Sequence, residues 1–291
     1  MHTSENPPSE EAGHRQETPA GGGEPRPPSP PDPGPEPSPD LPDEVRRFLR
    51  RGLLLYPLVV VVLWTWTELG LLNALLLGAL MELLPVLAVA QVPLVGKEKV
   101  DRPSAYIGSA IAILFLGWVS LVLGGDQVGY EAMGMTPLSW SDFLLWTGIA
   151  LGGGLALMGV SHLVEKALGF EESEVLKQIL PRTRHEKSLF AGVSLSAGLG
   201  EELAYRAYAI PVLATLVGST WGAAVLSSGI FGFLHAYQGG IGVVRTGVLG
   251  FALAAVFLLS GSVWPVIVAH TAIDLIGGLV LGPRLLEEEE D

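Results

Sequence analysis

Cysteine is absent from the 291 residues, and charged residues make up only 16% of them. The lack of cysteine excludes disulfide bonds, thiolate metal ligands and a cysteine nucleophile. The charge is also uneven. Ten acidic residues and two arginines in 1–44, with five acidic residues in 287–291, account for the whole formal charge of −13. The rest of the chain is neutral, so nothing basic indicates a nucleic-acid partner.

The N-terminal segment 1–44 has almost no large apolar side chains and is rich in Pro, Gly, Glu and Ser. Such a segment cannot bury enough surface to offset the entropy of ordering it, which predicts a disordered tail. It also lacks the short apolar core of a signal peptide, so the first apolar run is predicted to be an uncleaved anchor. We therefore expect a membrane domain over 45–286 and an acidic C-terminal tail over 287–291.

Long apolar runs fill the chain after the tail. Several reach the roughly 18 residues needed to cross a bilayer, which predicts an all-α, polytopic transmembrane helical bundle. Hydropathy indicates about eight spans. Their approximate limits are 53–68, 71–91, 104–124, 142–164, 188–209, 220–237, 241–260 and 263–282. Pro211 and Gly218 interrupt the pattern, which favours a short or re-entrant turn over 210–219.

Lysine and arginine are distributed asymmetrically about these spans. Of the fifteen such residues after the tail, fourteen fall on one side. By the positive-inside rule this side is cytoplasmic, which predicts a multi-pass protein of the cell membrane with both termini in the cytoplasm. The longest loop on that side contains Glu171–Leu180, whose apolar spacing is helical. This helix fits an amphipathic gate on the membrane surface as well as a solvated linker.

The first polar motif is Glu201-Glu202 with Arg206, inside an apolar run. Each carboxylate costs roughly 2.5–3.5 kcal/mol at bilayer depth, so such residues usually face a cavity or a partner and indicate function. Glu202 and Arg206 are four residues apart, so they share a helix face and can pair. Glu201 points about 100° away. Without a local counter-ion it is a candidate general base or acid, although a structural ion network is the alternative.

Two histidines form the other motifs. Phe231 and His235 lie one helical turn apart in the sixth span, and His270 and Asp274 do the same in the eighth. A carboxylate at this spacing can fix the tautomer of a histidine ring or bind a shared water. From the helical rise, Glu201 lies ~20 Å from the cytoplasmic end of its span, whereas His235 lies much closer to that end. Helix tilt or an earlier end of the sixth span would bring them level.

The order of these motifs, EExxxR, FxxxH and HxxxD, resembles the CAAX protease and bacteriocin-processing (CPBP) family, which includes the Ras-converting CAAX endopeptidases. The resemblance covers residues 188–276. It implies an intramembrane endopeptidase whose polar cavity opens to the cytoplasm and whose substrate is a membrane-associated protein or peptide. Position 274 is Asp here, as in many prokaryotic members, whereas CAAX-processing members have Asn.

The resemblance also implies a role for each motif residue. Glu201 would activate a water for attack on a peptide carbonyl, and His235 would orient that water or carry its proton. His270 and Asp274 would stabilise the oxyanion, while Arg206 would position its glutamate partner and the helix. Because an ionised aspartate cannot donate a hydrogen bond to an oxyanion, Asp274 is expected to orient His270, which makes the contact.

Three alternatives remain open from the sequence. The favoured mechanism needs no cofactor, but Glu201, His235 and His270 could instead hold Zn²⁺ as a Lewis acid. A non-enzymatic membrane scaffold or immunity-type factor would keep these residues for structure. A transporter would use the buried acids as a proton relay. No repeat relates the two halves of the chain, which disfavours the transporter.

Overall fold

The computed structural model describes residues 42–95, 100–170 and 173–283. Residues 1–41 of the predicted disordered tail lie outside this part of the chain. All residues of the predicted acidic tail over 287–291 also lie outside it. The described residues are helical and contain no β-strand, so the all-α prediction is confirmed.

The helices follow one another with short connections. They are α1 (Asp43–Trp66), α2 (Leu71–Gly78), α3 (Leu84–Val95), α4 (Arg102–Gln127), α5 (Trp140–Leu168), α6 (Glu174–Ile179), α7 (Arg184–Glu201), α8 (Ile210–Val217), α9 (Thr220–Leu234), α10 (Gly239–Ser260) and α11 (Trp264–Ile276). Wider π-helical turns join or extend some of them, namely π1 (Ala79–Leu83), π2 (Glu202–Ala209) and π3 (Gly277–Leu281). A 3₁₀ turn over Ala236–Gln238 separates α9 from α10.

Six helices of the described part are long and apolar enough to cross a membrane. They are Asp43–Trp66, Leu71–Pro93, Arg102–Gln127, Trp140–Leu168, Ala236–Ser260 and Trp264–Leu281. Large apolar side chains such as Leu54, Ile111 and Leu144 are exposed along them, as expected of lipid-facing surfaces. The chain is therefore a multi-pass membrane protein. Two of the eight predicted spans do not meet this standard, because α7 begins with charged residues and α9 has only 15 residues.

Several helix ends meet at one end of the bundle, which we call the basic end. Arg102, at the start of α4, donates from Nε to the Gln178 carbonyl at 2.6 Å and lies 3.5 Å from Glu186 at the start of α7. Arg245 near the start of α10 pairs with Glu165 near the end of α5 at 3.1 Å. The helix expected over 171–180 forms as α6, within the basic end.

The fifth predicted span is longer than the sequence indicated. The turn predicted over 210–219 is wrong, because α7, π2 and α8 follow without a break and reach Val217. Proline has no N–H to donate and crowds the preceding turn. Pro211 lies in the first turn of α8, directly after the wide turns of π2, where these effects are tolerated. The helix ends only at Gly218, whose φ of +70° suits glycine.

Glycines bring α7 unusually close to its neighbours. A Cβ added at Gly117 of α4 would lie 2.6 Å from the Cα of Gly200, and one added at Gly198 would collide with Thr271 of α11. Small residues at such crossings let helix backbones approach closely within a membrane. The helix that leads into the EExxxR motif is therefore held between α4 and α11 at the centre of the bundle.

Candidate active site

The π2 segment carries most of the first motif. All of its residues are buried, and Glu202 and Arg206 are 0% and 1% exposed. Arg206 donates from Nη1 to Glu202 Oε1 at 2.7 Å, so the predicted pairing is confirmed. Single π turns within α-helices are frequent at functional sites. Two opposite charges buried this deeply must satisfy each other, which ties this segment to one conformation.

Two further contacts complete the surroundings of Arg206. Its Nη2 donates to the Gly250 carbonyl of α10 at 3.1 Å. Its guanidinium lies 4.5 Å from the centre of the Phe231 ring, within the range of a cation–π interaction. Arg206 thus joins π2 to both α9 and α10, which the spacing of the motif did not reveal.

His270 links the buried ion pair to the more open part of the site. Its Nδ1 lies 2.7 Å from Glu202 Oε1, whereas its Nε2 lies 3.8 Å from Glu201 Oε2 and 3.7 Å from Asp274 Oδ2. The side chains of Glu202, His270, Glu201 and Asp274 are 0%, 8%, 15% and 34% exposed, so the cluster opens toward Asp274. The expectation that Asp274 orients His270 needs correction. The ring's hydrogen bond is made by Glu202, and Asp274 lies beyond hydrogen-bond distance.

Helix α9 ends at Leu234, three residues before the predicted end of the sixth span, and His235 follows it directly. Its Nδ1 lies 3.0 Å from the carbonyl of Phe231, one turn earlier. The Phe231 ring is 4.9 Å from the His235 ring and 6.3 Å from the His270 ring. The two histidines therefore flank the same phenylalanine, which brings the second and third motifs together.

A polar network fixes the turn that follows His235, and sequence reasoning missed it. Gln238 Oε1 accepts from Arg245 Nη2 at 3.2 Å, and the same guanidinium pairs with Glu165. The carbonyl of Tyr237 accepts from Ser173 Oγ at 2.7 Å, which ties α6 to this turn. From the sequence, Arg245 is only one of the basic residues counted beside the spans, because partners on other helices leave no local spacing signal.

The arrangement of donors bears on the zinc alternative. Nδ1 of His270 is engaged by Glu202, and Nδ1 of His235 by a backbone carbonyl, which leaves Nε2 of each ring free. Within 42–95, 100–170 and 173–283, no group of three His, Asp or Glu side chains is placed to hold a metal ion. Zinc binding by Glu201, His235 and His270 stays a prediction, and no step is derived through a metal.

Comparison with known proteins agrees with the geometry. Residues 184–276 match a family model described as "Rce1-like: Type II CAAX prenyl endopeptidase Rce1-like". The matched segment runs from α7 to the end of α11 and contains all three motifs. Comparisons with the curated proteins and with the solved structures gave no match. The resemblance found in the motifs is confirmed: residues 184–276 of this chain are similar to the Rce1-like type II CAAX prenyl endopeptidases, a family of proteases.

Proposed function

We propose that this protein hydrolyses a peptide bond of a membrane-associated protein or peptide, using a water that Glu201 activates. One observation carries the proposal. His270 joins the buried Glu202–Arg206 ion pair to Glu201, inside the segment that matches the endopeptidase family. Several ionisable groups converge there at bilayer depth, where each would be costly without a function.

Glu201 is suited to the role of general base. Arg206 is held by Glu202, and Glu201 faces His270 Nε2 across 3.8 Å, too far for a direct hydrogen bond. A water beside this gap can donate to Glu201 and, before the oxyanion forms, accept from His270 Nε2–H. Glu201 takes a proton from that water while the water oxygen attacks the carbonyl carbon of the peptide bond. When the C–N bond breaks, Glu201 returns the proton to the leaving amine.

His270 is suited to stabilise the oxyanion. With Nδ1–H donated to Glu202, a cationic ring has a second N–H at Nε2 to offer the developing negative charge. Asp274, 3.7 Å from Nε2, places compensating negative charge on the open side of the ring. In this arrangement Glu202 orients the ring and Asp274 balances its charge.

His235 is suited to place the attacking water. When its Nδ1–H donates to the Phe231 carbonyl, Nε2 carries the free lone pair and accepts a hydrogen bond. A fixed tautomer aims that acceptor in one direction. We infer that His235 holds the water on the side of the cluster opposite the buried ion pair.

The substrate enters, on this proposal, from the basic end, which the charge distribution predicts to be cytoplasmic. The family name refers to prenylated C-terminal peptides, whereas Asp274 is the residue of members outside CAAX processing. We therefore propose the broader class, a peptide anchored at the membrane. Two reporter peptides of one sequence, with and without a farnesyl group, separate the two substrate types.

The decisive experiment uses the purified full chain in liposomes with a fluorogenic form of these peptides. Glu201→Gln is isosteric and removes a buried charge, so we expect cleavage to be lost while the melting temperature is kept or raised. Glu131→Gln is the matched control, because Glu131 is exposed and lies far from the motifs in the chain. Retained turnover in Glu201→Gln would refute the assignment of the base.

A second measurement addresses the metal. Protein stripped with a strong chelator is expected to keep its turnover, since the proposal places no step on zinc. The proposal is wrong on this point if stripping abolishes activity, Zn²⁺ restores it, and elemental analysis finds one zinc per chain.

A further inference from the structure

One backbone carbonyl in the second span has lost its usual donor. In π-helical turns such as π1, the N–H of residue i+5 donates to the carbonyl of residue i. For Leu80 that residue is Pro85, which has no N–H. The N–H of Leu84, which would donate to Leu80 in an α-helix, donates to the carbonyl of Ala79. The Leu80 carbonyl is therefore left without a backbone donor, which is costly inside a bilayer.

The hydroxyl of Tyr205 takes the place of that donor. It donates to the Leu80 carbonyl at 3.2 Å, and the tyrosine is 1% exposed. Tyr205 belongs to π2 and immediately precedes Arg206. Its own carbonyl accepts from Ser227 Oγ of α9 at 2.9 Å. The charged segment is thus attached to the second span on one side and to α9 on the other.

The Tyr205 ring also reaches the aromatic centre of the site. It packs edge-on against Phe231 at 5.2 Å between ring centres. The same Phe231 ring lies under the guanidinium of Arg206 and beside His235. A displacement of Tyr205 would therefore move the ring on which both the arginine and the histidine rest.

We propose that Tyr205 is a positioning residue for the reaction. Its hydroxyl satisfies the carbonyl that Pro85 leaves free, and this bond fixes Glu201, Glu202 and Arg206 in register with the second span. The inference rests on the proposed function, since it takes these charges to be the reacting site. The EExxxR pattern leaves this position open, so the motif does not assign it.

Four proteins test the inference: the parent chain, Tyr205→Phe, Pro85→Ala and the double variant, each purified whole in liposomes. Tyr205→Phe is expected to lower kcat roughly 10- to 100-fold, the scale of a small misplacement of reacting groups, with little change in KM. Pro85→Ala supplies a new N–H for the Leu80 carbonyl and should keep kcat near that of the parent. In the protein that already carries Pro85→Ala, Tyr205→Phe should lower kcat much less.

Two other tyrosines provide matched controls. Tyr208, also in π2, donates to the carbonyl and side chain of Asn73 at 3.1 Å, so Pro85→Ala should not relieve any defect of Tyr208→Phe. Tyr56 donates to the Leu75 carbonyl, which already accepts the N–H of Ala79, so Tyr56→Phe should change kcat little. Relief by Pro85→Ala is thus expected for one tyrosine alone.

The inference is wrong if Tyr205→Phe keeps the kcat of the parent, or if the loss is equal with and without Pro85→Ala. In either case the proposed function still stands, provided that the parent cleaves the peptide and Glu201→Gln does not. If Tyr205→Phe gives no folded protein, recovery of folded, active protein by Pro85→Ala supports the inference, and failure to recover overturns it. Cleavage by the parent that does not depend on Glu201 overturns the proposed function, and the inference with it.

Discussion

The buried ion pair of Glu202 and Arg206 makes a thermodynamic prediction that does not depend on finding a substrate. Their closest atoms are 2.7 Å apart, and neither side chain reaches solvent. Arg206→Met leaves the Glu202 carboxylate without its permanently charged partner and with only the His270 ring beside it, and Glu202→Gln leaves a guanidinium without its anion. The double variant removes both charges and keeps an amide oxygen for the hydrogen bond from His270.

The expected magnitudes follow from burial. At an effective dielectric constant of about 20, opposite charges 2.7 Å apart attract by about 6 kcal/mol. Removing one partner of a buried pair typically costs ~3–5 kcal/mol, because the other charge stays buried and uncompensated. Removing both is often neutral. In the single and the double variant that carry Glu202→Gln, the N–H₂ group of the new amide has no acceptor, which adds ~1–3 kcal/mol to the loss of stability. We therefore expect the double variant to be more stable than Arg206→Met.

Thermal melting of the purified variants in one detergent, followed by tryptophan fluorescence, measures this order. A loss of 1 kcal/mol lowers the melting temperature by roughly 2–4 °C in a chain of about this size, so Arg206→Met should melt some 6–20 °C below the parent. Glu174→Gln, which removes an exposed partner of Lys177, should stay within ~1 kcal/mol of the parent. A double variant that loses the sum of both single losses would refute the reasoning, since the pair would then be uncoupled.

Three further predictions concern the cluster and its support. His270→Ala should cost ~2.7–4 kcal/mol of transition-state stabilisation, measured as kcat/KM, with a milder loss for Asp274→Asn; the reverse order would contradict the division of roles. Gly198→Ala should destabilise by ~1–3 kcal/mol through overpacking against α11. Gly192→Ala, whose added Cβ meets nothing within 4 Å, should be neutral or stabilising in the same melting assay. Thr183→Ala removes the N-cap of α7 and should lower stability by ~1 kcal/mol, and an unchanged melting temperature would argue against that cap.

Local spacing predicted the features that lie within one helix. The i+4 pairing of Glu202 and Arg206 is confirmed, as are the all-α fold and the family. Apolar runs located the helices because lipid selects for them along the whole length of a span. The helices that end next to the EExxxR motif and at His235 fall short of a full span for different reasons: α7 has charged residues at both ends, and α9 has only 15 residues.

Contacts between helices could not be predicted from one sequence. The spacing suggested Asp274 as the partner of the His270 ring, whereas the hydrogen bond is made by Glu202, 68 positions earlier. The effect of Pro211 was also misjudged. A proline ends a helix unless the preceding turn can widen, and whether it can depends on what packs around that turn.

The short length of α9 makes the thickness of the surrounding lipid part of the site's environment. Its 15 residues measure about 22 Å, against a hydrocarbon core of about 30 Å. Apolar side chains such as Val225 and Phe233 are exposed along it, as expected of a surface that faces lipid. A helix shorter than the core is accommodated by thinning of the bilayer or by polar groups drawn inward, at a cost that grows with mismatch. His235 stands at the end of this helix, so we expect the thickness of the bilayer to affect the position of the residue that is proposed to hold the water.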